Sequence, residues 1–150
     1  PWDTHANNTS GTRSCCEQTD LPIAGLLTDL KGRGLLDSTL VQWGGEFGRT
    51  PGAEQRGNNM KKGTEGRVHH PYGFSIWLAG GGIKGGTVYG QTDEFSYNIV
   101  EDPVHVRDLH ATLLHLLGID HQKFTVKWQG VDMRLTGVDA EARVIKRLLA

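Results

Sequence analysis

Cysteine is nearly absent from the 150 residues: there are two, Cys15 and Cys16, and they are neighbours. A disulfide between adjacent residues demands strained geometry, so the sequence predicts one thiol packed inward, the other not, and no structural bridge. Missing as well is any run near the eighteen or so apolar residues that a membrane-spanning helix needs, and no membrane partner is expected. Neither charge sign dominates, with 16 Lys and Arg against 17 Asp and Glu and a net charge of −1. A general nucleic-acid binder needs a basic surplus to displace counterions, so no nucleic-acid partner is expected. Hydrophobic residues at 37% and charged residues at 22% fit one soluble globular domain. Glycine, in contrast, is abundant at 21 residues. It clusters at Gly44–Gly48 and Gly80–Gly86 without a collagen-like period, as where backbone turns or closely approaches a site.

Periodicity predicts a helix over 19–33, capped by Thr19 or Asp20, with Pro22 in its first turn and Ile23, Leu26, Leu27 and Leu30 on one face. Thr39–Trp43 reads as a strand fed by that helix, the αβ half of a crossover unit. Residues 44–73 are almost devoid of apolar side chains and read as a polar, active-site-type loop. Its middle carries Arg49, Arg56, Lys61, Lys62 and Arg67 against Glu54 and Glu65, a basic stretch able to dock a polyanion. Phe74–Ala79 reads as a buried strand, followed by a glycine turn and a brief Thr87–Tyr89. A second helix is expected over Val104–Leu117 with Gly118 capping it, then a short hairpin within 122–138 and a closing helix over Asp139–Leu149. The opening Pro1-Trp2-Asp3-Thr4-His5 reads as mid-chain sequence, with an earlier segment expected ahead of it.

Three constellations could carry chemistry. Asp3 and His5, two apart on extended backbone, share a face and could ligate one divalent cation; a surface loop is the bland alternative. Glu46 and Arg49 follow the Thr39–Trp43 strand, where ligands of open α/β sheets bind. There Glu46 could hold metal or act as base, and Arg49 could grip a phosphate or sulfate with paired hydrogen bonds; an ordinary surface ion pair is the alternative. His69 and His70 are adjacent, so their side chains diverge and at most one should face a given metal. His110 falls on the apolar face of the second helix and is expected as a core histidine, with Asp108 either on the helix surface or tying a loop.

These stretches resemble a large bacterial family of sulfatase-like proteins, the fifteen-oh-one domain of unknown function, within the alkaline phosphatase superfamily. The matching residues are Trp2-Asp3-Thr4-His5, Gln18-Thr19-Asp20, Val41-Gln42-Trp43-Gly44-Gly45-Glu46-Phe47-Gly48-Arg49-Thr50-Pro51, His69-His70-Pro71, Ala79–Gly86, Glu101–His105 and Asp108–Leu114. The resemblance implies an α/β fold, the C-terminal part of a sulfatase-like sandwich with a mostly parallel sheet and helices on both faces. By the same analogy Asp3, His5, Glu46 and one of His69 and His70 would hold a divalent metal ion (zinc, calcium or magnesium). Arg49 would bind the anion of a small-molecule or glycan sulfate or phosphate ester. Glu46 would occupy the place of the aspartate in the superfamily's Asp-His pair, and Phe47 stands where that pair has histidine, which removes one ligand. The nucleophile-bearing strand is expected ahead of Pro1, so the chain alone is expected to be inactive. A periplasmic or secreted location is implied by resemblance only. Loss of a full metal site opens the alternative of a non-catalytic anion- or glycan-binding relative, and bare sheet edges would favour pairing with a second copy.

Overall fold

The computed structural model describes residues 1–54, 61–137 and 141–150. The chain opens with a short segment, turned at Asp3 by a hydrogen bond from the Thr4 N–H to the Trp2 carbonyl, that leads into α1, Asn8–Gly32. A 3₁₀ turn at Leu36–Ser38 connects α1 to β1, Val41–Trp43, and β2, Gly48–Glu54, comes next. Beyond it lie β3 (Gly66–His70), β4 (Trp77–Ala79), β5 (Gln91–Thr92) and β6 (Ile99–Glu101). Then come α2 (Val106–Leu116), β7 (Thr125–Trp128), β8 (Val131–Arg134) and a 3₁₀ turn at Lys146–Leu148.

The expected parallel sheet is overturned. Among the described residues the strands form four two-stranded sheets, β1–β4, β2–β3, β5–β6 and β7–β8, all antiparallel. The physical reason lies between β1 and β4. A parallel return needs a crossover, usually a helix, whereas here the chain makes the β2–β3 hairpin and comes back with Val41 opposite Ala79 and Trp43 opposite Trp77. The sandwich with a mostly parallel sheet and helices on both faces is therefore not this fold.

The polar stretch 44–73 is no structureless loop, because β2 and β3 occupy much of it. Strand periodicity misses β2 because Pro51 gives no ladder donor and because the register slips between Arg49 and Ala53. Arg56, counted in the basic stretch, lies outside the described residues. The Phe74–Ala79 run forms a strand only from Trp77, and that strand is half-buried.

α1 begins well before the expected cap. Its N-cap is Asn7, in left-handed backbone, and Pro22 lies inside the helix rather than in its first turn. Thr19 sits mid-helix, its hydroxyl donating to the Cys15 carbonyl at 2.9 Å. The first half of α1 is polar and buries only Cys15, so no apolar stripe announces it. Cys15 is buried and Cys16 half-buried, both as free thiols, as the sequence reading expected. The glycine cluster is a turn: Gly80, Gly81 and Gly82 all have positive φ. A Cβ on Gly81 would press on Leu40.

α2 anchors the chain's last segment. Asp108 is buried and its Oδ1 accepts from the Arg143 N–H at 2.8 Å; Thr112, fully buried, accepts from the Ile145 N–H at 3.0 Å. These side chains capture backbone donors that a helix would use for its own ladder. This is why the expected closing helix is replaced, over the described residues 141–150, by extended chain and one 3₁₀ turn; Asp139 lies outside the described residues. Of the two readings for Asp108, the tying role is the one the structure shows. His110 does not fit its expectation: it is exposed and borders an open apolar cavity with Leu113, Leu114, Leu117 and Leu135. The anticipated hairpin within 122–138 is β7–β8, closed at Gln129-Gly130, both with positive φ.

Candidate functional site

The β2–β3 hairpin and the opening segment build one side-chain cluster. The segment lies along β3: Asn7 N–H donates to the Thr64 carbonyl at 2.8 Å and Asn8 N–H to Glu65 at 3.0 Å. In return, Arg67 N–H donates to Thr4 at 3.0 Å. Gly66 is buried at this crossing, where a Cβ would fall on the His5 carbonyl group. Close backbone approach at a side-chain-free residue therefore delivers Asp3 and His5 to the hairpin.

Around Asp3 the groups converge tightly. His5 Nε2 and His69 Nε2 each stand 3.0 Å from Asp3 Oδ1, and Arg49 Nη2 donates to the same oxygen at 2.5 Å. Arg49 and His69 are direct cross-strand partners, which places guanidinium and imidazole side by side. One ligating atom from each of Asp3, His5 and His69 lies within 4.8 Å of the other two. Phe47 packs on His69 with ring centroids 4.3 Å apart, and Arg49 lies over the Phe47 ring at 5.7 Å.

Glu54 is the residue that sequence reasoning missed. Its Oε2 lies 2.6 Å from His5 Nδ1, and its side chain is only 14% exposed. In a regular strand Arg49 and Glu54, five apart, would face opposite sides. The register slip between Arg49 and Ala53 lets both reach the cluster, and no spacing rule signals that.

Other expected residues lie elsewhere. Glu46 is exposed in the bend between β1 and β2, outside the Asp3–His5–His69 group. His70 diverges from His69 as adjacent strand residues must. It is buried, donates from Nε2 to the Tyr97 carbonyl at 2.6 Å and stacks on the Tyr97 ring at 4.7 Å. Asp93 holds that loop in place by accepting from the Tyr97 and Asn98 N–H groups.

Hydrogen bonding from His69, then from Arg49, holds the Asp3 carboxyl down to about 2 from an ordinary 3.8. A depressed carboxyl pKa contributes stability that is present above 3.8 and lost as pH falls through about 2. The Asp3 carbon resonance, followed by NMR, is expected to titrate with a midpoint of about 2. His69→Ala should raise that midpoint more than any other single change at the cluster, with Arg49→Ala next. An Asp3 titrating at its ordinary value in the unaltered protein would refute the hydrogen-bond account.

The donor set bears on what the cluster could hold. Glu54 accepts from His5 Nδ1–H, so in neutral His5 the Nε2 lone pair faces the Asp3 oxygen. A proton on Nε2 turns the 3.0 Å approach into an ordinary His5–Asp3 ion pair, and a metal ion could take that proton's place. Ligands of a tetrahedral ion with bonds of about 2.0–2.1 Å stand roughly 3.3 Å apart, close to the Nε2–Oδ1 separations here. Two imidazoles and one carboxylate suit zinc and its neighbours, whereas calcium and magnesium take oxygen ligands. The carboxylate of Glu54 behind His5 matches the usual support of a metal-bound histidine.

Residues 1–149 match the family model described as "Protein of unknown function (DUF1501)". The chain belongs to the DUF1501 family. No curated protein and no solved structure matches it. Among the described residues of this DUF1501 chain, no helix is long and apolar enough to cross a membrane.

Proposed function

We propose that this DUF1501 chain supplies a metal- and anion-binding site for hydrolysis of sulfate or phosphate monoesters, as in the alkaline phosphatase superfamily. The carrying observation is the meeting of Asp3, His5 and His69, drawn from distant segments, with Arg49 against the same carboxylate. Asp3, His5 and His69, the last with its proton moved from Nε2 to Nδ1, would hold one zinc-class ion, narrowing the sequence expectation of zinc, calcium or magnesium. When bound, such an ion polarises an ester oxygen and stabilises charge developing on it.

The chain's own side chains have separable tasks. Glu54 fixes the His5 tautomer and ring orientation, so that Nε2 faces inward. Arg49, anchored by Asp3 and by the Arg67 carbonyl at 3.4 Å, presents a fixed cation to the ester's oxygens. Phe47 packs against one side of the His69 ring and steadies it. The test is turnover of 4-nitrophenyl sulfate and 4-nitrophenyl phosphate by the full-length protein. Activity that a chelator abolishes and zinc restores is expected. Absence of turnover together with absence of bound metal by elemental analysis would refute the proposal.

Phe47 favours a second reading, capture of an anionic ester without turnover. Its ring packs against His69 in the place where the sequence resemblance expects a further ligand. Metal binding and ester binding with no turnover would decide for that version.

A further inference from the structure

The β7–β8 hairpin is a two-faced ribbon whose eight strand residues are all exposed. Its register sets Trp128 opposite Val131, Lys127 opposite Asp132, Val126 opposite Met133 and Thr125 opposite Arg134. Alternation therefore places Val126, Trp128, Val131 and Met133 on one face and the four polar residues on the other. The apolar face lies open to water, with Trp128 at 64% and Val131 at 59% exposure. Phe124 and Leu135, exposed as well, come next in line at the ribbon's base. A lone hairpin is marginally stable in water, and an apolar sheet face needs a second layer.

Three observations point to a second copy of the chain as that layer. The apolar face carries no charge, so two such faces can meet without burying an unpaired ion, while Lys127, Asp132 and Arg134 stay in water. The accessible surface, 10849 Å², is roughly 3,000 Å² above that of a folded monomer of 16.4 kDa. Obligate dimers take about 1,000–2,500 Å² from each partner, which this excess can supply. Finally, the ribbon's base adjoins a socket: Leu135 lines an apolar cavity of about 300 Å³ with His110, Leu113, Leu114 and Leu117. When two ribbons stack antiparallel about a two-fold axis at the Val126–Met133 pair, each tip lies over the other's base. Trp128, beside the Gln129-Gly130 turn, then meets the other copy's socket, which has room for one large ring. Such a contact closes at two copies. We propose that the chain dimerises through the apolar face of β7–β8, with each Trp128 seated in the other copy's socket against Leu117 and Leu135. The assignment is independent of the metal and hydrolase readings.

Sedimentation of the full-length protein, with and without a chelator, tests this; a dimer is expected in both. Trp128→Lys should raise the dimer dissociation constant about 30-fold or more, the loss of an aromatic anchor. Leu117→Lys should do the same from the socket side. Both side chains are largely exposed in the single chain, so neither change should unfold it. Arg134→Gln, on the opposite face, should leave the constant unchanged. Trp128→Ala and Leu117→Ala combined should cost less than the sum of their separate losses, since both remove one contact. A monomer at high micromolar concentration overturns the proposal and leaves the face to another segment of the same polypeptide or to a different partner. A dimer indifferent to both lysine substitutions overturns it equally.

Discussion

Asp3→Ala, His5→Ala and His69→Ala are each expected to lower zinc affinity by about 100-fold or more, while Glu46→Ala leaves it unchanged. The estimate follows from comparison with groups behind the ligands, whose loss alone costs about 10–100-fold. Each of these three changes deletes a donor from a set of three. Glu54→Gln should fall within that lower range, because the amide no longer offers a carboxylate to His5 Nδ1–H. His70→Ala is the informative contrast. Its ring is buried against Tyr97 and its Nε2–H is committed to a carbonyl, so it should lower thermal stability and leave zinc affinity intact. Competition against a chromophoric chelator measures all six variants. Equal losses for His69→Ala and His70→Ala would mean that the residues act only through folding, and the metal centre would fall with that result.

Gly66→Ala is the second large effect, through geometry rather than donor chemistry. A methyl group there would overlap the His5 carbonyl group and the Ala6 nitrogen. The Thr4–Asn8 segment could stay hydrogen-bonded to β3 only by moving away. Overpacking of this kind costs about 1–3 kcal/mol, read as a lower urea midpoint with an unchanged slope. Because the same segment carries Asp3 and His5, zinc affinity should fall together with stability. Gly52→Ala, in the same hairpin, meets nothing within 4 Å and should alter neither. A Gly66→Ala protein with normal stability and full zinc affinity would show that the opening segment does not need this close crossing.

These two results probe different kinds of information in the chain. α2 was legible because its signals are local: an apolar repeat, a start near His105 and a stop at Gly118, whose φ is +74°. The β7–β8 hairpin was legible in outline, and so was the contrast between Cys15 and Cys16. α1 was half-legible, since its apolar repeat marks only the C-terminal part while the polar first half buries Cys15 alone. The closing helix was misread because its backbone donors are taken by Asp108 and Thr112, far away in sequence. The parallel sheet was misread for a related reason. Helix followed by strand says nothing of the direction in which the strand's partner arrives.

The candidate site divides along the same line. Sequence alone offered Asp3 and His5 as residues sharing a face, required His69 and His70 to part, and marked residues 44–73 as a polar stretch, read there as a loop. The first two follow from the two-residue period of extended backbone, a property of near neighbours. Only tertiary structure decided that His69 and not His70 turns toward Asp3, that Glu46 stays outside and that Glu54 stands behind His5. Those choices depend on cross-strand register, on the slip between Arg49 and Ala53 and on the crossing at Gly66. Register is settled by the sum of contacts between segments remote along the chain, and no short window of residues contains that sum.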